Sequence, residues 1–235
     1  MIEFVFMLTH HDRTVDDALQ VYEQTRGTGL RYIGLKDVGA TPELLAELVR
    51  TAQADGLEVM LEVVSTSAED ELRSLRAAAE IGVDWVLGGT HAEEGVEILR
   101  GTGIKYCPFP GQVIGHPSEL DGDLTEIAEH AKALTALDGV HGLDLLAYRH
   151  RRLDPVVLTR VVVAAAAGPV IVAGAIASPA QIRDVAAAGA WGFTIGGAVF
   201  EDRLPGAPGV AGQLAEVLAV GAAAPVPPNK VSGVR

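Results

Sequence analysis

Short apolar bursts alternate with amphipathic stretches along the whole chain, and each burst after the first follows a glycine. The bursts are IEFVFML at the amino end, LRYIGL after Gly29, LEVMLEVV after Gly56, VDWVLGG after Gly82 and IKYCPF after Gly103. They continue with VHGLDLLAY after Gly139, PVIVAG after Gly168 and AWGFTIG after Gly189. A glycine in that place is the expected left-handed residue that closes a helix. Between the bursts, apolar residues recur at helical spacing. Val15, Ala18, Leu19 and Tyr22 form one stripe, and Leu44, Leu45, Leu48, Val49 and Ala52 a second. Leu72, Leu75 and Ala79, then Ile127, Ala128, Ala131 and Leu134, continue the period. Thr41-Pro42, Asp154-Pro155 and Ser178-Pro179 each pair a capping side chain with a proline at the first helical position.

Eight strands alternating with about eight helices imply a parallel sheet covered by helices. Spread over 235 residues, each unit is about 29 residues long, the length of one βα repeat. The expected architecture is an α/β protein, a single-domain (β/α)8 TIM barrel over 1–221, with an open doubly wound sheet as the alternative. From Ala222 the sequence AAAPVPPNKVSGVR loses periodicity and reads as a Pro-rich tail, 222–235.

Strand alternation assigns the inward positions. Ile33 and Leu35 face the helices and leave Gly34 and Lys36 toward the axis. Val59, Leu61 and Val63 face outward, so Met60 and Glu62 face in; Leu143, Leu145 and Ala147 do the same for Asp144 and Tyr148. Lys36, Glu62 and Asp144 therefore meet near one end of the barrel, where a charge is costly unless it is paired or used. Lys36 is the lysine at a strand's carboxyl end. A semi-buried amine there suits a Schiff base with a carbonyl substrate or proton donation to an enediolate, with Glu62 as the base beside it. A structural Lys–Glu or Lys–Asp pair filling the barrel is the plainer alternative.

Composition narrows the partners. A formal charge of −13 speaks against nucleic acid. The single cysteine, Cys107, rules out a disulfide framework and reads as a packing residue. No apolar stretch reaches membrane-spanning length, and MIEFVFMLTHHD carries an acid within its apolar run and no basic leader, so a cytoplasmic protein is expected. Strand one leads into Thr9-His10-His11-Asp12 rather than a G-x-G-x-x-G turn, and no P-loop occurs. His10 or His11 should point into the barrel mouth as an acid/base or substrate contact. His91, His116 and His150 also follow strands, but no H-x-H or H-E-x-x-H spacing marks a metal site, and no cofactor is expected. The basic run YRHRR, Tyr148 to Arg152, precedes a helix start that would favour acids, and Arg149 or Arg151 there suits a carboxylate or phosphate clamp. The long loop CPFPGQVIGHPSELDGD, Cys107 to Asp123, has the length of a lid.

The most specific stretch is IVAGAIASPAQIRDVAAAGAWGFTIGGAVFE, Ile171 to Glu201. Strand seven ends in Ala173-Gly174-Ala175-Ile176, Ser178-Pro179 opens the next helix, and strand eight ends in Gly196-Gly197. Glycine weakens a strand unless a backbone or ligand must come close, and bare amides at a helix start bind an anion. This last third resembles the ribulose-phosphate-binding barrel superfamily. The resemblance implies a phosphate held by Gly174, Ala175, Ser178, Gly196 and Gly197, with Tyr148 and Arg149 near it. It also implies a small phosphorylated substrate, a homodimer, and an isomerase, epimerase or aldolase-type lyase of carbohydrate metabolism; the strand-end reading above supplies Lys36, Glu62, His10 and Asp144 as its candidate catalytic groups. The departures are specific: the decarboxylase branch's Asp-x-Lys-x-x-Asp strand is absent, the epimerase metal pattern is not reproduced, and the sugar-amine branch's acid on strand seven is replaced by Ala-Gly-Ala. Two other functions remain open. One is a catalytically silent phosphometabolite-binding protein. The other is a transferase on a phosphorylated alcohol, which would use a divalent metal, with Asp12 as the candidate acid.

Overall fold

The computed structural model describes residues 1–65, 67–225 and 227. All eight apolar bursts form parallel strands of one sheet: β1 Glu3–Met7, β2 Tyr32–Lys36, β3 Glu58–Val63, β4 Trp85–Gly88, β5 Lys105–Cys107, β6 Leu143–Leu145, β7 Val170–Val172 and β8 Gly192–Ile195. Each pairs with its sequence neighbours except across β5 and β6, and β8 pairs with β1. The seam between β5 and β6 is bridged by the His141 amide on Tyr106 O at 2.8 Å and the Asp144 amide on Pro108 O at 3.1 Å. The molecule is a single-domain (β/α)8 barrel, nearly closed at this seam.

The helices are α1 Ala18–Glu23, α2 Pro42–Ala54, α3 Ala68–Ile81, α4 Ala92–Leu99, α5 Leu124–Leu134, α6 Pro155–Ala165, α7 Pro179–Ala187, the one-turn α8 Gly197–Phe200, and α9 Val210–Ala223. The three cap-proline pairs start α2, α6 and α7; Thr41, Asp154 and Ser178 each accept hydrogen bonds from the first-turn amides. Asp123 adds a full capping box with Glu126 at α5. The first helix is shorter than its stripe: Val15 lies outside it, because Thr9–His10 and Arg13–Thr14 pair as a small antiparallel hairpin. Six of the seven punctuating glycines have positive φ, but Gly168 does not. A Cβ there would strike His141 O, so Gly168 is small because the segments entering β6 and β7 nearly touch. The last helix takes in Ala222 and Ala223; residues 226 and 228–235 of the Pro-rich tail lie outside the described residues.

The alternation read from sequence holds for β2 and β3. Ile33, Leu35, Val59, Leu61, Val63, Leu143 and Leu145 belong to the outer core between barrel and helices. A second, smaller core fills the barrel itself with Val5, Met7, Tyr32, Met60, Trp85, Leu87, Cys107 and Ile171. Its amino-terminal end is plugged by rings: Trp191 stacks against Tyr32 and Trp85 at 5.6 and 5.4 Å. Gly34 is glycine because the Met7 thioether occupies the volume its side chain would need. Going up β2 and β3, the lining turns from aromatic and aliphatic to ionic, and Lys36 and Glu62 are cross-strand neighbours in register. Among the described residues, no helix is long and apolar enough to cross a membrane.

Candidate active site

The barrel axis opens at the carboxyl ends of the strands into a cavity of about 360 Å³. Its floor is ionic. The Lys36 ammonium lies 3.4 Å from Glu62 Oε1, and both side chains are 5% exposed or less. Two buried opposite charges at that distance offset each other's desolvation, provided other partners complete the set. Asp144 stands apart from this pair. It is fully buried, does not reach the cavity wall, and neither carboxyl oxygen has a hydrogen-bond partner. Burial, reinforced by the Glu62 charge, pushes its carboxyl well above the usual carboxylate range.

The third member of the ionic floor comes from the hairpin. His11 and Asp12 form its two-residue turn with φ of 48° and 63°, the left-handed pair that a tight hairpin demands and that glycine or asparagine would normally supply. Two ordinary side chains in that region cost roughly 1 kcal/mol or more each. The turn is anchored on β2 by Thr14, whose hydroxyl donates to Lys36 O at 2.9 Å and accepts from the Lys36 amide at 2.8 Å. Asp12 is thereby aimed down into the mouth. Its Oδ1 accepts from Lys36 Nζ at 2.5 Å and from Arg149 Nη2 at 2.8 Å. Its Oδ2 is buried without a hydrogen-bond partner, with His116 Nδ1 3.7 Å away. Burial raises the Asp12 carboxyl, but the Arg149 hydrogen bond and the two neighbouring cations outweigh it and hold it at about 2. Sequence reasoning treated Asp12 only as a metal candidate; its His11 neighbour gave no glycine-like signal of a hairpin turn.

The opposite wall is backbone. Gly174 and Ala175, with φ of 92° and 45°, turn the chain after β7, and Gly196 and Gly197 lead from β8 into α8. The amides of Gly174, Ala175, Ile176, Gly196, Gly197 and Ala198 donate to no protein acceptor among the described residues, and all six residues line the cavity. Two of the glycines also make room for protein. A Cβ on Gly174 would lie 2.6 Å from Arg149 Cγ, and one on Gly196 would lie 2.6 Å from Thr9 O. Gly197 faces open space, with nothing nearer than 3.8 Å. Three of these donors lie in the turn after β7 and three at the start of α8, and unspent backbone amides of this kind are able to accept an anion.

The remaining expected residues divide. His10 and His11 both line the cavity, stacked at 3.8 Å, and His10 Nε2 meets Glu201 Oε1 at 3.0 Å. Ser178 is spent on capping α7 and is not on the wall; Ala177 takes that place. Tyr148 also misses the cavity. The strand ends at Leu145 and the chain coils into a 3₁₀ turn, Ala147–Arg149, which breaks the period of two and swings Arg149 into the mouth instead. The rest of YRHRR docks the long loop. Arg151 pairs with Glu119 at 2.7 Å, Arg152 with Asp121 at 3.3 Å, and His150 Nε2 meets Gly122 O at 3.0 Å. That loop folds as a hairpin of Gln112–Ile114 with Glu119–Asp121, and its Pro117 forms part of the cavity wall. His91 lies elsewhere on the rim, bonded to Glu71 at 2.9 Å. Cys107 is buried in the inner core, where burial pushes its thiol up. Among the described residues, no group of three or more His, Cys, Asp or Glu side chains is placed to hold a metal ion.

No family model and no curated protein matches the chain. Solved structures do. The chain is similar to a cube-shaped, highly porous protein cage designed by fusing symmetric oligomeric domains, at 16% identity and TM-score 0.64 over 93% of this chain and 72% of that one. It is similar to native KDPGal at 15% identity and TM-score 0.63, over 93% of each chain. The tryptophan synthase alpha chain from Legionella pneumophila subsp. pneumophila aligns at 15% identity and TM-score 0.59, over 94% of this chain and 90% of that one. Identities this low carry the barrel fold.

Proposed function

We propose that the protein is an enzyme of the ribulose-phosphate-binding barrel superfamily that moves protons next to the carbonyl of a small phosphorylated sugar or sugar acid. The observation that carries this reading is the pairing of two unlike walls in one cavity. A lysine and a glutamate lie 3.4 Å apart on the floor, and six unspent amides face them from the β7 and β8 turns. The amides suit a dianion, which fixes one end of a substrate; the Lys–Glu pair suits the two adjacent atoms of an α-hydroxy carbonyl group. A cavity of about 360 Å³ fits a molecule of a few carbons plus a phosphate.

Glu62, as carboxylate, takes the proton from the carbon beside the carbonyl, and the electron pair of that C–H bond passes to the carbonyl oxygen, giving an enediolate. Lys36 works on that carbonyl. Returning the proton from Glu62 to the neighbouring carbon on the same face completes an isomerisation with no other reactant, whereas an epimerisation would take its proton from a second acid on the opposite face. Carbon–carbon cleavage of a β-hydroxy carbonyl uses the same stabilised anion, so an aldolase is the next member of the class. Arg149, reaching both Asp12 and the Gly174 turn, stands where it joins the two walls.

The test is solvent exchange. Phosphorylated ketoses and aldoses of three to six carbons are screened by thermal shift, and those that stabilise the protein are incubated in deuterium oxide and followed by NMR. The wild type washes deuterium into the position beside the carbonyl. Glu62→Gln abolishes the exchange, while inorganic phosphate still raises the melting temperature of the variant. A wild type that binds these compounds and exchanges none is a binding protein, and the enzyme reading fails.

A further inference from the structure

Asp12 decides which chemistry Lys36 performs. Resting on the reading above, in which Lys36 acts on a carbonyl, we propose that Asp12 is a positioning residue that keeps Lys36 an ammonium, so that Lys36 serves the carbonyl oxygen as an acid and not the carbonyl carbon as an imine-forming amine.

The geometry is one-sided. Lys36 Nζ is 2.5 Å from Asp12 Oδ1 and 3.4 Å from Glu62 Oε1, and all three side chains are 5% exposed or less. An imine needs the neutral amine with its lone pair free. Removing that proton would strip two buried carboxylates of the cation they share and leave Arg149, which pairs with Asp12 and also donates to Ser118 O, as the guanidinium beside them. The left-handed turn at His11 and Asp12 is a local cost borne to deliver this one carboxylate, and Thr14 locks the turn to the backbone of Lys36 itself. The residue that supplies the acid and the residue that fixes its charge are thus held by the same hydrogen bonds. In the step itself, the Lys36 proton passes to the developing oxyanion while Glu62 holds the carbon's proton. On return, the enol proton goes back to Lys36, so charge and atoms balance.

Reductive methylation tests this, because formaldehyde is small, neutral and independent of any phosphate site. Protein is treated with formaldehyde and cyanoborohydride at pH 7, and methylation of Lys36 is compared by peptide mass with that of the exposed Lys132. In the wild type Lys36 lags far behind Lys132. Asp12→Asn raises the Lys36-to-Lys132 ratio about tenfold or more, the scale on which one close opposite charge acts, and Asp12→Glu restores the lag. A wild-type Lys36 that is methylated as fast as Lys132, or a ratio unmoved in Asp12→Asn, overturns the inference. If Asp12→Asn shows no cooperative melting, ¹⁵N spectra of lysine-labelled wild type decide: an ammonium signal for Lys36 Nζ at pH 7 upholds the proposal, and an amine signal ends it. Deuterium exchange by the wild type tests the substrate reading without any Asp12 variant, so loss of that reading and loss of the Asp12 inference register separately.

Discussion

Two sets of turns on the same rim treat negative charge in opposite ways. After β4, the chain passes through Gly88 and Gly89, both at positive φ, into Thr90, His91 and α4. There the protein supplies its own anion. Glu71, reaching over from α3 and 1% exposed, accepts from the amides of Thr90 and His91 at 2.8 Å each, from the Thr90 hydroxyl at 3.1 Å and from His91 Nδ1 at 2.9 Å. After β7 and β8 the same kind of small-residue turn leaves its amides without a protein acceptor among the described residues, on the wall of the cavity that holds Lys36 and Glu62. One turn has its donors filled by the protein; the other leaves them open, as the socket proposed above requires. Glycine after a strand is thus not by itself a sign of ligand binding. What separates the two cases is whether a side chain from a neighbouring helix comes to fill the donors.

The contrast can be broken most severely by emptying the filled turn. Glu71→Ala leaves two amides and a hydroxyl without their protein acceptor at a half-buried turn and should cost roughly 1–2 kcal/mol of stability, read by denaturant melts. Added phosphate should recover part of that loss in the variant, since the turn becomes a second socket. The converse experiment fills the open one. Gly197→Glu has room for its side chain and should leave stability nearly unchanged while weakening phosphate binding about tenfold or more, measured by calorimetry. A variant that binds phosphate as the wild type does would show that the open amides serve no anion. The smallest effect concerns pH. The Glu71 hydrogen bond raises the His91 imidazole above its ordinary range against the opposing pull of burial. Because the folded value is the higher one, the protonated pair stabilises fully below pH ~6.5 and the gain fades as pH rises through the folded value. The side chain is 38% exposed, so the gain is only a few tenths of a kcal/mol. Comparing wild type with His91→Gln from pH 5.5 to 8.5 should show the difference shrinking upward; a constant difference would mean the imidazole does not titrate against Glu71.

Much of this was legible in the chain. The barrel, its strand count and the inward set on β2 and β3 follow from periods of two and 3.6, which are local properties of the backbone and survive any packing detail. Cap-proline pairs marked α2, α6 and α7 for the same reason: the unpaired amides of a first turn need a partner within three residues. Tyr148 and Ser178 show the limit of such local rules. Alternation aimed Tyr148 at the axis, but the strand had already ended in a 3₁₀ turn; Ser178 carried both a capping signal and a place near the phosphate turn, and the cap took its hydroxyl.

The sequence by itself determined that eight βα units would close around a core, that Lys36 and Glu62 would share its interior, and that the chain after β7 and β8 would be bare. Only the tertiary structure decided which turns are filled and which are open, that Asp12 would fold back onto Lys36, and that Arg149 rather than Tyr148 would enter the mouth. The reason is distance along the chain. Periodicity and caps act within a few residues, whereas Glu71 meets Thr90 19 residues on, Asp12 meets Lys36 24 residues on, and Arg149 meets Asp12 across 137. Those meetings exist only once the barrel has closed and brought the ends of its strands into one ring.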